Sequence, residues 1–233
     1  MPAVPAPGDE LAIFAHARHW KKYWSGIVSQ YIHGDVLEVG AGIGSNVDLL
    51  LKTSQHWVCL EPDANLVQQL RAKMESDDRC EVVRGQLQDL DDSRQFDTIL
   101  YIDVLEHIEN DSAEVSEAAS HLRSGGALIV LVPAHQWLFT PFDSAIGHFR
   151  RYDKAGLKAC SPPALRLERL LYLDSVGLCA SIGNKLVLGQ SMPTYRQIMV
   201  WDKVMVPLSQ WFDPISRYSL GKSLLAVWRK DPS

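Results

Sequence analysis

Apolar residues in this chain switch between two spacings, and the switches mark out its elements. From Leu11 to Ile32, the residues Leu11, Phe14, Ala15, Trp20, Trp24, Ile27, Val28 and Tyr31 recur at helical spacing, behind a Pro-rich start over residues 1–10. Val36 to Val39 is then a compact apolar run of the kind a buried strand needs. Val47, Leu49, Leu50 and Leu51 give a helix face. His56 to Glu61 reads as a second strand, closed by Pro62, and Asp63 caps a helix whose face is Leu66, Val67, Leu70 and Met74. Cys80 to Arg84 and Phe96 to Ile102 read as strands three and four. Leu122 to Gly126 reads as a helix end and turn, and Ala127 to Val132, the most apolar run in the chain, as strand five. Strands alternating with helices predict an α/β fold around a parallel sheet.

The second half is less regular. Pro133 to Asp143 and Gly147 to Tyr152 are aromatic and lack a period; long ordered loops of this kind are usually functional. Asp153 caps a helix over Lys154 to Cys160, and Leu165 to Leu173 reads as strand six. Val176 to Leu188 reads as helical. Met192 to Phe212 reads as a helix with Pro193 at its start and Pro207 kinking or ending it, and Gly221 to Arg229 as the last strand.

Composition narrows the class. The 233 residues, 46% hydrophobic and 22% charged, suit one globular domain with a full core. A net charge of -5 argues against a broad nucleic-acid surface. Cys59, Cys80, Cys160 and Cys179 form no C-x-x-C pair, so no metal site is expected, and reduced thiols point to the cytoplasm. The N-terminus lacks the basic-then-apolar order of a signal peptide, and no apolar run is long enough to cross a bilayer.

The chemistry centres on Asp35 to Ser45, where a strand runs into glycines and then a helix, the opening of a nucleotide-binding domain. A dinucleotide fingerprint would place its third glycine at Ser45; here it falls at Gly44, with Glu38 two residues before Gly40, giving E-x-G-x-G-x-G. This order disfavours an NAD-dependent oxidoreductase. The motif resembles the first motif of class I S-adenosylmethionine (SAM) dependent methyltransferases. The resemblance extends to Phe96 and Asp97 at the start of strand four, to Leu105-Glu106-His107-Ile108 after it, and to Gly125, Gly126 and the Val132-Pro133 pair around strand five. It covers Trp20 to Tyr152 and fits the small-molecule branch of that class. The implied fold is a Rossmann-like sandwich: a mostly parallel seven-stranded sheet, an antiparallel last strand, and helices on both faces.

On that resemblance the cofactor is SAM. Gly40, Ala41, Gly42 and Gly44 form its turn, with Glu38 near its cationic groups. Glu61, beside Pro62, is placed to accept from the ribose hydroxyls. Gln86 and Leu87 pass the adenine, with Gln86 where the family usually has Asp; an amide can still pair with the adenine edge. Ile102, Asp103, Val104 and His107 line the end of strand four, beside the transferred methyl. Trp20 and Tyr23 are candidates for an N-terminal helix folded over the cofactor, or else core or interface aromatics. The divisions implied are a helical cap over 1–33, a cofactor-binding core over 34–174, a helical insertion over 175–218 serving as lid or interface, and a last strand over 219–233.

For the reaction, His107, His135 and His148 are candidate bases, since histidine exchanges protons near neutral pH. Trp137, Phe142, Arg150, Arg151 and Tyr152 are candidates for the acceptor, with the two arginines suited to an anionic group. The alternative for Arg150, Arg151 and Tyr152 is a network pinning the loop. The expected acceptor is a hydroxyl or amine of a small molecule, linked to a glycan, lipid or natural product, and the 192–212 helix offers a homodimer surface. A protein or RNA methyltransferase is disfavoured by the lack of an Asn-Pro-Pro-Tyr type motif after strand four. A SAM-binding protein without chemistry is the remaining rival.

Overall fold

The computed structural model describes residues 16–183 and 194–231. Strand β1 (Asp35–Val39) lies between β2 (His56–Glu61) and β4 (Phe96–Ile102), parallel to both. With β3 (Cys80–Arg84), β5 (Leu122–Pro133), β6 (Leu165–Leu173) and β7 (Ser223–Lys230) they form one sheet in the order β3-β2-β1-β4-β5-β7-β6. β7 runs antiparallel to both its neighbours; the other strands share one direction. This is the mostly parallel, seven-stranded arrangement expected from the alternating pattern.

Strand periodicity divides the core in two. Leu37, Val39, Ile99, Tyr101, Leu128 and Val130 face one side, where α4 (Asp111–Ser120) and α6 (Lys154–Ala159) pack through Val115, Ala118, Ala119 and Leu157. Val36, Leu100, Ile102, Ile129 and Leu131 face the other, covered by α1 (Arg18–Val28) through Trp20, Trp24 and Val28 and by α3 (Ala64–Met74) through Leu70 and Met74. The caps read from sequence are formed: the Asp63 carboxylate accepts from the Asn65 and Leu66 amides, and that of Asp153 from the Gly156 amide.

Three expectations change, and the range expected for the helix from Val176 extends beyond the described residues. The first helix is described only from Arg18, closing in a 3₁₀ turn at Ser29–Tyr31; Leu11 to Ala15 lie outside the described residues. Leu122 to Gly126 is the start of β5, not a helix end and turn: Leu122 pairs with Phe96, and a register shift absorbs the extra residues, with Gly125 at φ 76°. The segment expected over Val176–Leu188 is described as α7 (Ser175–Gly183), and its later part falls outside the described residues.

The helix expected over Met192–Phe212 is broken, and Met192 and Pro193 are outside the described residues. It comprises α8 (Tyr195–Val200), a π turn (Trp201–Met205) and α9 (Val206–Ile215). The Val206 amide reaches back five residues to Trp201, immediately before Pro207, which has no N–H to offer.

Two buried aspartates tie this segment to α1. Asp202 accepts from the Trp20 amide at 2.9 Å and lies 3.0 Å from His19 Nδ1, while Asp213 accepts from the Tyr23 hydroxyl at 2.7 Å. Val200, Val204, Leu208, Trp211, Phe212 and Ile215 remain exposed along α8, the π turn and α9. Among the described residues, no helix is long and apolar enough to cross a membrane.

Candidate functional site

The first half of the site is the turn after β1. Gly40, Gly42 and Gly44 have φ of 68°, 55° and 70°, in the left-handed region that side chains avoid. A Cβ on Gly40 would also lie 2.6 Å from Val104, so the turn can press against the end of β4 only with glycine there. The Gly40 and Ala41 amides both donate to the Leu60 carbonyl. The Gly42 amide donates to Oε2 of Glu61 at 2.8 Å, and the Asp63 amide to Oε1 at 3.0 Å.

Glu38 lies underneath, buried, accepting from Asn46 Nδ2 at 2.8 Å and Trp57 Nε1 at 3.0 Å. Burial pushes its pKa up to about 7, against the opposing pull of those two bonds. Pro62 and Gln86 are exposed beside the turn, and Leu87 is buried in the core. The Gln86 amide donates to Asp89, closing a capping box.

The second half is a recess at the ends of β4 and β5. Asp103 has φ 54°, and its amide is held by the Leu131 carbonyl at 2.8 Å. Its carboxylate is open to solvent yet walled by protein, with His148, Lys222 and Lys21 as neighbours. The protein packed around it raises its pKa to about 6, with Lys222 and Lys21 pulling the other way. Beyond it, His148 Nδ1 is 3.1 Å from Asp143 Oδ1 and its Nε2 3.9 Å from Glu106 Oε1. Asp143 is also held by Arg151 and by the Thr140 hydroxyl and amide. Burial alone would raise Asp143, but the His148 bond, the Arg151 charge and Thr140 outweigh it and hold it at about 2.

His107 sits edge-on to His148, ring centroids 4.5 Å apart. Its pKa is pushed down to about 4 by burial and by His148. Glu106 is buried and pushed well above the carboxylate range by burial, then by Asp103.

Other predicted residues occupy different places. Trp20 and Tyr23 point to the helical segment: Trp20 packs 5.9 Å from the Trp201 ring, and Tyr23 bonds Asp213. His135, at φ 68°, stacks on Tyr172 and lies 2.9 Å from the Gly221 carbonyl, with Trp137 exposed beside it. Phe142 is half-buried on α5 (Pro141–Ala145). Arg150 pairs with Asp111 and donates to the Glu109 carbonyl, and Tyr152 donates to Asp111 at 2.8 Å. Arg150, Arg151 and Tyr152 thus pin the loop to Asp111 and Asp143.

Sequence reasoning missed Lys21. It follows Trp20 in α1 and lies half-buried near Asp48, Asp103 and Glu38. It also missed Lys222, which lies 3.8 Å from the Trp201 ring centroid and 3.7 Å from Asp174. Neither lysine sits in a motif; only the fold brings it to this edge.

A sheet of this order with a glycine turn clasped at the strand ends defines the Rossmann-like methyltransferase architecture. Residues 37–128 match the family model described as a methyltransferase domain. A probable S-adenosylmethionine-dependent methyltransferase of Mycolicibacterium smegmatis is 27% identical over 137 residues, 56% of this chain and 52% of that protein. One of Mycobacterium tuberculosis is 30% identical over 100 residues, 42% of this chain and 35% of that protein. The chain therefore spans about half the length, or less, of these curated relatives.

Among solved structures, the N-methyltransferase NodS of Bradyrhizobium japonicum, in complex with S-adenosylhomocysteine, superposes with a TM-score of 0.59 at 12% identity, covering 91% of this chain and 85% of that one. A SAM-dependent methyltransferase of Clostridium acetobutylicum gives 0.61 at 10% identity, covering 96% of each. Residues 37–128 are therefore similar in sequence to a methyltransferase domain, and the whole described fold is that of the Rossmann-like methyltransferases. SAM is the cofactor these comparisons indicate. The residues present fit it: the Glu61 and Asp103 carboxylates stand at the strand ends, bare glycine backbone borders them, and Asp103 is open toward a cationic group.

Proposed function

We propose that this chain transfers the methyl group of SAM to a hydroxyl or amine of a small molecule. The observation that carries the reading is the meeting, at one sheet edge, of the Glu61-clasped glycine turn with the Asp103–His148 recess. SAM supplies a methyl on a positively charged sulfur that leaves readily, so the protein's work is mainly positioning and electrostatics.

The chain's residues divide that work. Each Glu61 oxygen takes one backbone bond and keeps a lone pair for a ribose hydroxyl. Gln86 stands where the adenine edge would pass. Lys21 faces the turn as partner for the cofactor's carboxylate. Asp103 balances the sulfonium charge. His148, its Nδ1 held by Asp143, keeps Nε2 as the lone pair that can take the acceptor's proton. His107 and His135 are the lesser candidates, His135 because Gly221 already occupies its Nε2. Trp137 and Phe142 border the acceptor's approach, and a second copy of this chain would pack on the exposed face of α9.

A net charge of -5 favours a small acceptor over nucleic acid, and four free cysteines suit a cytoplasmic setting. The test is transfer of labelled methyl from SAM to a panel of hydroxyl and amine acceptors. Label in small-molecule product supports the reading; label only in protein or RNA replaces it.

A further inference from the structure

Glu106 is 1% exposed, and neither carboxylate oxygen makes a hydrogen bond to another residue. A buried carboxylate left so is costly unless something else meets it. What faces it is a pair of imidazoles. One ligand atom each from Glu106, His107 and His148 lies within 4.8 Å of the others.

Both rings are already oriented from behind. His148 Nδ1 is held by Asp143, itself fixed by Arg151 and Thr140, so Nε2 is left toward Glu106. His107 has the Gly147 backbone as its other partner. Imidazoles braced through one nitrogen by a carboxylate or carbonyl, with the other nitrogen free, are how proteins present histidine to a metal.

We propose that Glu106, His107 and His148 bind a divalent first-row transition cation. Two imidazoles and one carboxylate suit zinc, manganese, cobalt or ferrous iron rather than the all-oxygen shells of calcium or magnesium. Bonds of about 2.0–2.2 Å require ligand atoms somewhat closer than they stand here, within reach of side-chain rotation. The cation would meet the Glu106 oxygens that the protein leaves unmatched. Three protein ligands leave positions open beside Asp103. The use of those positions rests on the methyl-transfer reading above: they favour an acceptor hydroxyl over an amine, because a cation-bound hydroxyl gives up its proton more easily. The His148 lone pair then serves as a ligand and not as the base.

The test is titration of chelator-treated protein with Co²⁺, read by visible absorption and by metal content after dialysis, with S-adenosylhomocysteine binding measured in parallel. One Co²⁺ per chain is expected, weakened about tenfold or more by Glu106→Gln and by His107→Gln, and similarly by Asp143→Asn, which leaves all three ligands in place. Circular dichroism melts of each variant separate lost ligation from lost fold. Substoichiometric cobalt on folded protein that still binds S-adenosylhomocysteine overturns the metal site and leaves the methyltransferase reading standing. Stoichiometric binding indifferent to the substitutions in variants that remain folded overturns it too. Cobalt bound as expected, with no binding of S-adenosylhomocysteine, supports the site and counts against the methyl-transfer reading alone.

Discussion

The Gly42 amide and the Glu61 carboxylate are bonded at 2.8 Å, joining the turn after β1 to the end of β2. The same carboxylate accepts from the Asp63 amide, so the turn, the strand end and the cap of α3 are one assembly. A single acid thereby ties the glycine backbone to the end of β2.

Glu61→Ala is expected to weaken SAM and S-adenosylhomocysteine binding by on the order of 1–3 kcal/mol, the usual consequence of leaving buried donors unmatched. Calorimetry on the folded variant reads it. Affinity equal to wild type would place the ribose elsewhere.

Lys21→Met keeps the length of the side chain and removes its charge. If Lys21 meets the cofactor's carboxylate, binding falls by about 1.5–3 kcal/mol, the range for a charged hydrogen bond. Adenosine, which lacks that carboxylate, should bind both proteins alike. A variant that binds SAM as well as wild type removes Lys21 from the site.

Glu38 gives a pH signature. Its folded pKa, raised to about 7, exceeds that of the unfolded chain, so the native state holds its proton longer. Its favourable contribution is full below the unfolded value, near 4.5, and is lost as pH rises through about 7. Urea denaturation across this window should show Glu38→Gln losing less stability with rising pH than wild type, by on the order of a few kcal/mol. Parallel pH profiles for the two proteins would show that Glu38 is ionised throughout.

Much of this was legible in the chain. β2, β3, β4 and β6 begin and end where their apolar runs do, because each strand is bounded by a polar or capping residue such as Asp63. The glycine turn was legible because left-handed φ at Gly40, Gly42 and Gly44 leaves a mark in residue type. Leu122 to Gly126 misled because two glycines suit a turn and a bulged strand equally, and only pairing with Phe96 decides. Asp143, Lys21 and Lys222 left no mark: a lysine or aspartate reads as surface until distant segments meet it. Asp174 shows why. It gathers Gly177, Trp201, Ser209 and Lys222, whose common partner no local spacing predicts.

The face of α9 can be tested separately. Trp211 is 77% exposed, with Phe212 and Ile215 beside it. If a second copy packs there, sedimentation shows a dimer that Trp211→Glu converts to monomer with an unchanged circular dichroism spectrum. A wild-type monomer at high concentration ends the proposal.

The most direct test of the whole account is calorimetric titration of the purified protein with SAM, S-adenosylhomocysteine and NAD in parallel. The account predicts micromolar binding of the first two and none of NAD. Binding of NAD alone, or of none of the three, would contradict it.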